Sequence, residues 1–213
     1  MTTTSGDLLS TGDPGLDRLL GGLLPGDNVV WIGDRDDIHD HVENALISTG
    51  ATTVVQLADH LEIPIGAEVV DARPGKPHAD LKLAEREIVR RGAEPGARVV
   101  IRDLDTLVRR LGAEAALAFF TRTCPRLFDL GAIAYWRATR RGSGAILEGV
   151  QRVTQCVIDH TGGRLRVLKA ESRPAAVGRI FEVAVTDDAL ELEEVRAASR
   201  LAEGLRRLRT ARN

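Results

Sequence analysis

The segment from Gly33 to Asp40 contains the residue types that could bind a phosphate group or a metal ion. It follows the apolar run Val29 to Ile32 and reads Gly-Asp-Arg-Asp-Asp-Ile-His-Asp. A glycine at the end of a strand leaves backbone N–H groups open to phosphate oxygens, whereas carboxylates and imidazoles are common ligands of divalent cations. Phosphate binding and metal binding are therefore the two kinds of chemistry to compare here.

Phosphate binding by this segment conflicts with its own residues. A loop of the pattern G-x-x-x-x-G-K-[ST] needs a second glycine, a lysine that neutralises the phosphates and a hydroxyl that holds magnesium. This chain has Ile38, His39 and Asp40 at those three positions. We therefore expect no ATP to bind in the loop.

Carboxylates crowd the N-terminus of the helix predicted after this loop. They belong to Asp34, Asp36, Asp37 and Asp40. Two like charges about 4 Å apart repel by about 4 kcal/mol at an effective dielectric constant near 20, which disfavours a bound triphosphate further. Carboxylates cap free N–H groups and are stabilised at a helix N-terminus. The sequence thus predicts that the protein fills its own anion site.

A divalent-metal site formed by Asp36, His39 and Asp40 is the alternative for the same segment. We rank it below the capping interpretation. The five histidines are scattered, and only His39 and His41 are close in sequence, at a spacing that points two side chains apart on a helix. We predict no catalytic residue, no cofactor and no metal site in this chain.

Five short apolar runs separated by amphipathic segments predict an α/β fold with a mostly parallel central sheet flanked by helices. The runs are 29–32, 53–57, 99–101, 132–136 and 155–158. Helices are predicted over 36–48, 80–91 and 105–130, the last interrupted near Cys124 and Pro125. These elements must position the loop that begins at Gly33.

The C-terminal part changes character after residue 158. Polar and apolar residues alternate over 164–169 and 179–185, which predicts an antiparallel hairpin. We expect one domain over residues 1–190, followed by a basic amphipathic helix over 191–213. The residues of that helix that we expect to contact a partner are Leu201, Leu205, Leu208, Arg206 and Arg207.

The N-terminal sequence from Ser10 to Gly26 resembles the entry to KaiC-like domains of the RecA superfamily. It reads Ser-Thr-Gly-Asp-Pro-Gly-Leu-Asp-Arg-Leu-Leu-Gly-Gly-Leu-Leu-Pro-Gly and leads into the strand that ends at Gly33. The resemblance extends over residues 9 to 190 and implies a RecA-like P-loop NTPase fold with a closing hairpin and a terminal helix. The segment from Gly26 to Asp34 is also similar, more faintly, to RecA-like segments of phosphoenolpyruvate synthase-type proteins.

The resemblance also implies a second nucleotide motif, Walker B, over Arg98 to Leu104. Family members end this strand with an aspartate that supports magnesium, but here Arg102 follows Ile101, and Asp103 comes one residue later. Both nucleotide motifs, Walker A and Walker B, are therefore degenerate. We expect Arg102 to form a salt bridge, with the cluster from Asp34 to Asp40 as one possible partner.

Composition limits the classes of function further. The chain has 213 residues and a formal net charge of -2, with 43% hydrophobic and 28% charged residues and two cysteines. These values are typical of a globular protein. They favour neither a disulfide framework nor a uniformly basic surface that would bind nucleic acid. The N-terminus lacks the pattern of a leader peptide, so we expect a soluble, cytoplasmic protein without a membrane segment.

The sequence favours a non-catalytic RecA/KaiC-like protein that has lost ATP binding and hydrolysis and acts through protein association, as a regulatory or structural subunit. We expect self-association, as a dimer rather than a hexamer, or association with an active RecA-like paralogue. A nucleic-acid-associated accessory protein, using Arg137, Arg140 and Arg141 for phosphate contacts, is one alternative. A binder of a ligand other than ATP is the other.

Overall fold

A computed structural model of the chain describes residues 8–34, 36–59, 63, 65–186 and 189–195. These residues form a nine-stranded sheet with the strand order β3-β2-β4-β5-β1-β6-β7-β8-β9. The strands are β1 (Asn28–Ile32), β2 (Thr52–Gln56), β3 (Glu68–Asp71), β4 (Arg98–Ile101), β5 (Ile133–Ala138), β6 (Cys156–Asp159), β7 (Arg164–Ala170), β8 (Ile180–Val185) and β9 (Leu190–Glu194).

Seven helices within the described ranges flank or connect these strands. They are α1 (Pro14–Leu20), α2 (Asp36–Ser48), α3 (Leu81–Gly92), α4 (Leu104–Leu111), α5 (Ala113–Asp129), α6 (Arg140–Ser143) and α7 (Leu147–Val153). Across the described part of the chain, we find no helix with the length and apolar character needed to span a membrane.

In the order of the sheet, the first six strands (β3, β2, β4, β5, β1 and β6) pair in parallel. From β6 onward, β7, β8 and β9 are added in antiparallel pairs. The predicted α/β class, the mostly parallel sheet flanked by helices and the antiparallel hairpin are therefore confirmed. The helix predicted over 36–48 is α2, with the same bounds.

Two apolar cores lie on opposite faces of the sheet, and β1 contributes to both. Val30 and Ile32 pack with residues of α3, α4, α5 and α7. Val29 and Trp31 pack with residues of α1, α2 and the C-terminal strands. Because successive side chains of a strand point to opposite faces, a strand covered on both faces is apolar throughout.

The helical segment after β4 is interrupted at a different residue from the one predicted. Pro125 lies inside α5, and the break between α4 and α5 comes at Gly112, whose φ is 84° and ψ is 163°. That conformation is accessible essentially to glycine alone, so it ends one helix and redirects the chain into the next. The expected interruption near Cys124 and Pro125 was therefore wrong.

Two edge strands were not predicted. β3 has the sequence Glu-Val-Val-Asp, and β9 has Leu-Glu-Leu-Glu-Glu. Residues 191–194 belong to β9, so the terminal helix does not begin at residue 191. The remainder of that predicted helix, residues 196–213, lies outside the described residues, together with the predicted contact residues Leu201, Leu205, Leu208, Arg206 and Arg207.

Candidate functional site

The parallel strands end along one edge of the sheet, and the residues just beyond them form the candidate site. Gly33 follows β1, Arg102 follows β4, Thr139 follows β5 and His160 follows β6. The Gly33 N–H donates to the Ala138 carbonyl at 3.0 Å, and the His160 N–H donates to the Ile32 carbonyl at 2.8 Å. These backbone bonds hold Gly33 and His160 side by side.

The imidazole of His160 lies directly against Gly33. A Cβ atom on residue 33 would lie 2.1 Å from Cε1 of His160, and both ring nitrogens would be 2.3 Å away. Glycine is therefore required here by the close approach of a ring. The side chain of His160 is fully buried, so this ring covers the first glycine of the degenerate loop.

His160 also contacts His39, which stands at the lysine position of the pattern G-x-x-x-x-G-K-[ST]. The Nε2 atoms of His39 and His160 are 3.2 Å apart, and both side chains are buried. Burial lowers the pKa of His160 to about 4 and lowers the pKa of His39 well below its usual 6.5; Arg137 lowers both further. Two neutral rings can share one hydrogen bond, with one Nε2 donating and the other accepting.

Asp36 and Asp40, both predicted as helix-capping acids, form ion pairs with a buried arginine. The Arg137 guanidinium contacts the Asp36 carboxylate and lies 3.3 Å from that of Asp40. Arg137 belongs to β5 and its side chain is 10% exposed. Because the positive charge comes from within the protein, the repulsion among the acids of α2 is compensated without a bound cation.

Arg102 forms a salt bridge, but with a different acid from the one proposed. Its Nε lies 2.5 Å from Oε2 of Glu43, and the two side chains are 4% and 3% exposed. The prediction that Arg102 pairs with an acid between Asp34 and Asp40 was therefore wrong. Burial raises the pKa of Glu43 to about 7, against the opposing effect of Arg102.

Asp103, which we predicted to belong to the second motif, is the N-cap of α4. Its carboxylate accepts hydrogen bonds from the backbone N–H of Thr106, at 3.2 Å, and from the Thr106 hydroxyl. Its φ is 75°, the only positive value among the described non-glycine residues. Such backbone conformations are uncommon outside glycine, and the two bonds to Thr106 hold this one in place.

The remaining residues of the loop separate from one another. Ile38 is fully buried in the core between α2 and the sheet, whereas the side chains of Asp34 and Asp37 are exposed. His39 points to His160 while Asp36 and Asp40 contact Arg137, so the three proposed metal ligands do not share one centre. Within the described ranges, no three His, Cys, Asp or Glu side chains could hold a metal ion together.

Two of the three arginines proposed for nucleic-acid contacts are already paired with carboxylates. Arg137 contacts Asp36 and Asp40, and Arg140 contacts Asp159. Among the described residues, Arg141 has no carboxylate partner. A phosphate backbone would therefore have to compete with internal ion pairs for two of its three expected contacts.

The sequence analysis did not place His160, Arg137 or Glu43 in this site. For Glu43 and His160, their positions in the sequence could have indicated that they belong to it. Glu43 lies four residues after His39, which places both on one side of α2. His160 directly follows a parallel strand, at the edge of the sheet where ligand sites form in α/β proteins. Arg137 was placed after its strand, although it lies within β5.

Comparison with known proteins adds no relative. The chain matches no protein-family model, and no curated protein is significantly similar to it.

The contact between Gly33 and His160 predicts strong coupling between these two residues. Gly33→Ala should lower the free energy of unfolding by about 1–3 kcal/mol, because its methyl group would overlap the buried ring. The same substitution should cost much less in a His160→Ala background, where the ring is gone. Urea unfolding of the two single variants and the double variant measures this coupling.

Gly50→Ala is the matched control for that experiment. Its Cβ would come closest to Nη1 of Arg98, at 2.4 Å, which is the far end of a flexible side chain. We expect Gly50→Ala to lower the free energy of unfolding only slightly. Equal costs for Gly33→Ala with and without His160 would show that the ring does not occupy this position.

The buried histidines predict that acid lowers stability. The folded-state pKa values of His39 and His160 are depressed, so their contribution to stability is present above pH 6.5 and is lost as the pH falls below it. For His160 this loss extends down to about pH 4. Glu43 acts in the opposite sense, because its raised pKa makes its contribution fall as the pH rises from 4.5 to 7. Between pH 4.5 and 6.5, His160 and Glu43 therefore act in opposite directions, and His39 acts in the same direction as His160.

Unfolding measured at several pH values between 6.5 and 4.5 tests this balance. The double variant His39→Gln, His160→Gln should lose less stability on acidification than the wild type. The difference should be up to about 1.4 kcal/mol per pH unit for each histidine that no longer takes up a proton on unfolding. His78→Gln, which removes a histidine outside the pair, is measured beside it as the control substitution. An unchanged slope in the double variant would contradict the assignment.

Proposed function

We propose that the protein is a non-catalytic RecA/KaiC-like protein that has lost ATP binding and hydrolysis and acts through protein association. The observation that carries the proposal is the His160 ring packed on Gly33. A phosphate loop works by surrounding the phosphates with backbone N–H groups next to its glycines. In this chain, a buried imidazole takes the space beside the first glycine.

Backbone hydrogen bonding supports the same conclusion. The Gly33 N–H already donates to the Ala138 carbonyl, so it is not available to a phosphate oxygen. The nearby guanidinium groups of Arg102 and Arg137 are engaged by Glu43, Asp36 and Asp40. A triphosphate would have to displace carboxylates from both arginines, which leaves those carboxylates uncompensated.

The topology is compatible with the proposed RecA-like fold. β1 leads into the degenerate loop, β4 leads into Arg102 and Asp103, and β5 lies between these two strands. Both motifs therefore end at the same edge of the sheet, where α/β proteins bind ligands. We propose that the fold has kept this arrangement while the loop has lost its chemistry.

Exposed apolar side chains on the outer helices, and at the end of α5, support a role in association. Leu83, Leu111, Phe128 and Leu130 are between 40% and 47% exposed. Without a nucleotide between subunits, a hexameric ring loses its main source of cohesion, so we propose a dimer or a complex with an active RecA-like paralogue. The two free, buried cysteines are compatible with a reducing cytoplasm. Burial raises the pKa of both thiols to about 12, which makes them unreactive.

Calorimetric titration with magnesium and ATP, and separately with ADP, tests the loss of nucleotide binding. We expect no saturable binding at the loop with a dissociation constant below about 100 μM and no matching rise in melting temperature. Saturable binding that Gly33→Ala weakens would overturn the proposal, because it would place the nucleotide at the loop.

Sedimentation of the full chain over a range of concentrations tests association. We expect a concentration-dependent dimer that the substitutions Phe128→Glu and Leu130→Glu weaken by removing apolar contact area. Val177→Glu is a suitable control, since Val177 is 43% exposed but lies on a different segment. A monomer at every concentration would contradict self-association.

A further inference from the structure

A cleft of about 340 Å³ lies between α4 and the segment that follows β5, at the same edge of the sheet as the degenerate loop. Its lining residues are Asp105, Val108, Arg109, Thr139, Arg141 and Gly142. This volume is near the lower end of the range for small-molecule sites.

Hydrogen bonds around Asp105 hold the two sides of the cleft together. The Asp105 carboxylate accepts from the backbone N–H of Thr139 at 3.0 Å, from the Thr139 hydroxyl at 2.6 Å and from the Ser143 hydroxyl. A Cβ atom on residue 142 would lie 2.2 Å from the Asp105 carboxyl carbon, so only glycine allows this close packing. The floor of the cleft is therefore fixed before any ligand arrives.

Four arginines occur on these two segments, and they differ in how their charge is compensated. Arg140 forms an ion pair with Asp159, and Arg110 donates to the Ala72 carbonyl at 3.1 Å. Arg109 donates only to the hydroxyl of Thr106, at 2.6 Å, and among the described contacts Arg141 has neither a hydrogen bond nor an ion pair. Arg109 and Arg141 are also the two arginines that line the cleft.

The cleft therefore carries an excess of positive charge. Both oxygens of Asp105, the only acid in its lining, already accept hydrogen bonds from Thr139 and Ser143. The two guanidinium groups keep most of their N–H donors for another molecule. A guanidinium presents its donors as a planar fork that matches two oxygens of one phosphate group.

We propose that this cleft binds a small molecule through a phosphate group held by Arg109 and Arg141. The position agrees with the rule that open α/β sheets bind ligands outside the carboxyl ends of their strands. This site is separate from the loop at Gly33, so the inference does not depend on the proposed loss of ATP binding. It gives the chain a ligand-binding role beyond association.

Titrations with inorganic phosphate and with glycerol 3-phosphate, followed by ³¹P and protein-amide NMR at fixed ionic strength, test the site. We expect saturable binding that Arg109→Gln and Arg141→Gln each weaken about tenfold or more, while both variants keep the wild-type melting temperature because the two side chains are exposed. Tighter binding of the ester would identify an organic phosphate as the ligand, and tighter binding of the free ion would identify inorganic phosphate.

Arg152→Gln is the matched control, since Arg152 is 73% exposed on α7 and, among the described residues, forms an ion pair with Glu148 alone. An equal loss of binding in this variant would reduce the effect to general electrostatics and overturn the site. No binding up to about 10 mM of either probe would also overturn it. So would binding confined to a single-stranded oligonucleotide, since that would assign the arginines to nucleic acid.

ATP is a useful third probe because it distinguishes this site from the loop. ATP binding that Arg141→Gln removes and Gly33→Ala leaves unchanged would support the cleft without restoring the ATPase interpretation. The reverse pattern would support nucleotide binding at the loop and contradict the proposed function. The ATP titration therefore distinguishes a failure of the cleft proposal from a failure of the proposed loss of ATP binding.

Discussion

The structure of this site depends on the burial of two arginines beneath α2. Arg137 comes from β5 and Arg102 from the end of β4, and neither side chain is more than 10% exposed. A buried guanidinium without a partner would cost several kcal/mol, so the helix that covers them must supply carboxylates. Asp36, Asp40 and Glu43 do so, and their spacing of four and three residues puts them on one side of α2.

This pairing explains the composition of the degenerate loop. The acids that we expect to repel a triphosphate are the acids that compensate Arg137, so the same residues also anchor the helix. With α2 in this position, the side chain of His39 is buried, and burial disfavours the charged form of its imidazole. It meets the neutral ring of His160, and that ring covers Gly33. The ion pairs beneath α2 and the contact of His160 with Gly33 therefore belong to one connected arrangement.

The sequence predicts the parts of the fold that depend on local patterns. The five central strands and α2 are continuous apolar or amphipathic runs, and all were identified. β3 and β9 were missed because they are edge strands, where one side is open to solvent and charged residues replace apolar ones. The break at Gly112 was missed because a proline is normally the stronger helix breaker, yet α5 contains Pro125 without ending there.

The site itself was only half predictable for a related reason. The loop and the second motif are local sequence features, so their residues could be named from the sequence alone. Their partners are not local, since Arg137 lies 101 residues from Asp36 and His160 lies 121 residues from His39. Only the strand order, which places β5 and β6 on either side of β1, brings these residues together. A single sequence carries no signal for which charge a distant strand will supply.

The edge of the sheet thus contains two groups of arginines with different environments. Arg102 and Arg137 point under α2 and are compensated there by carboxylates from that helix. Arg109 and Arg141 lie farther along the same edge, where the only lining acid is occupied by Thr139 and Ser143. Burial explains why Arg102 and Arg137 are paired with carboxylates, since a buried guanidinium without a partner is costly. Arg109 and Arg141 are exposed, so their donors stay in contact with solvent, and these are the groups at this edge that a bound anion would engage.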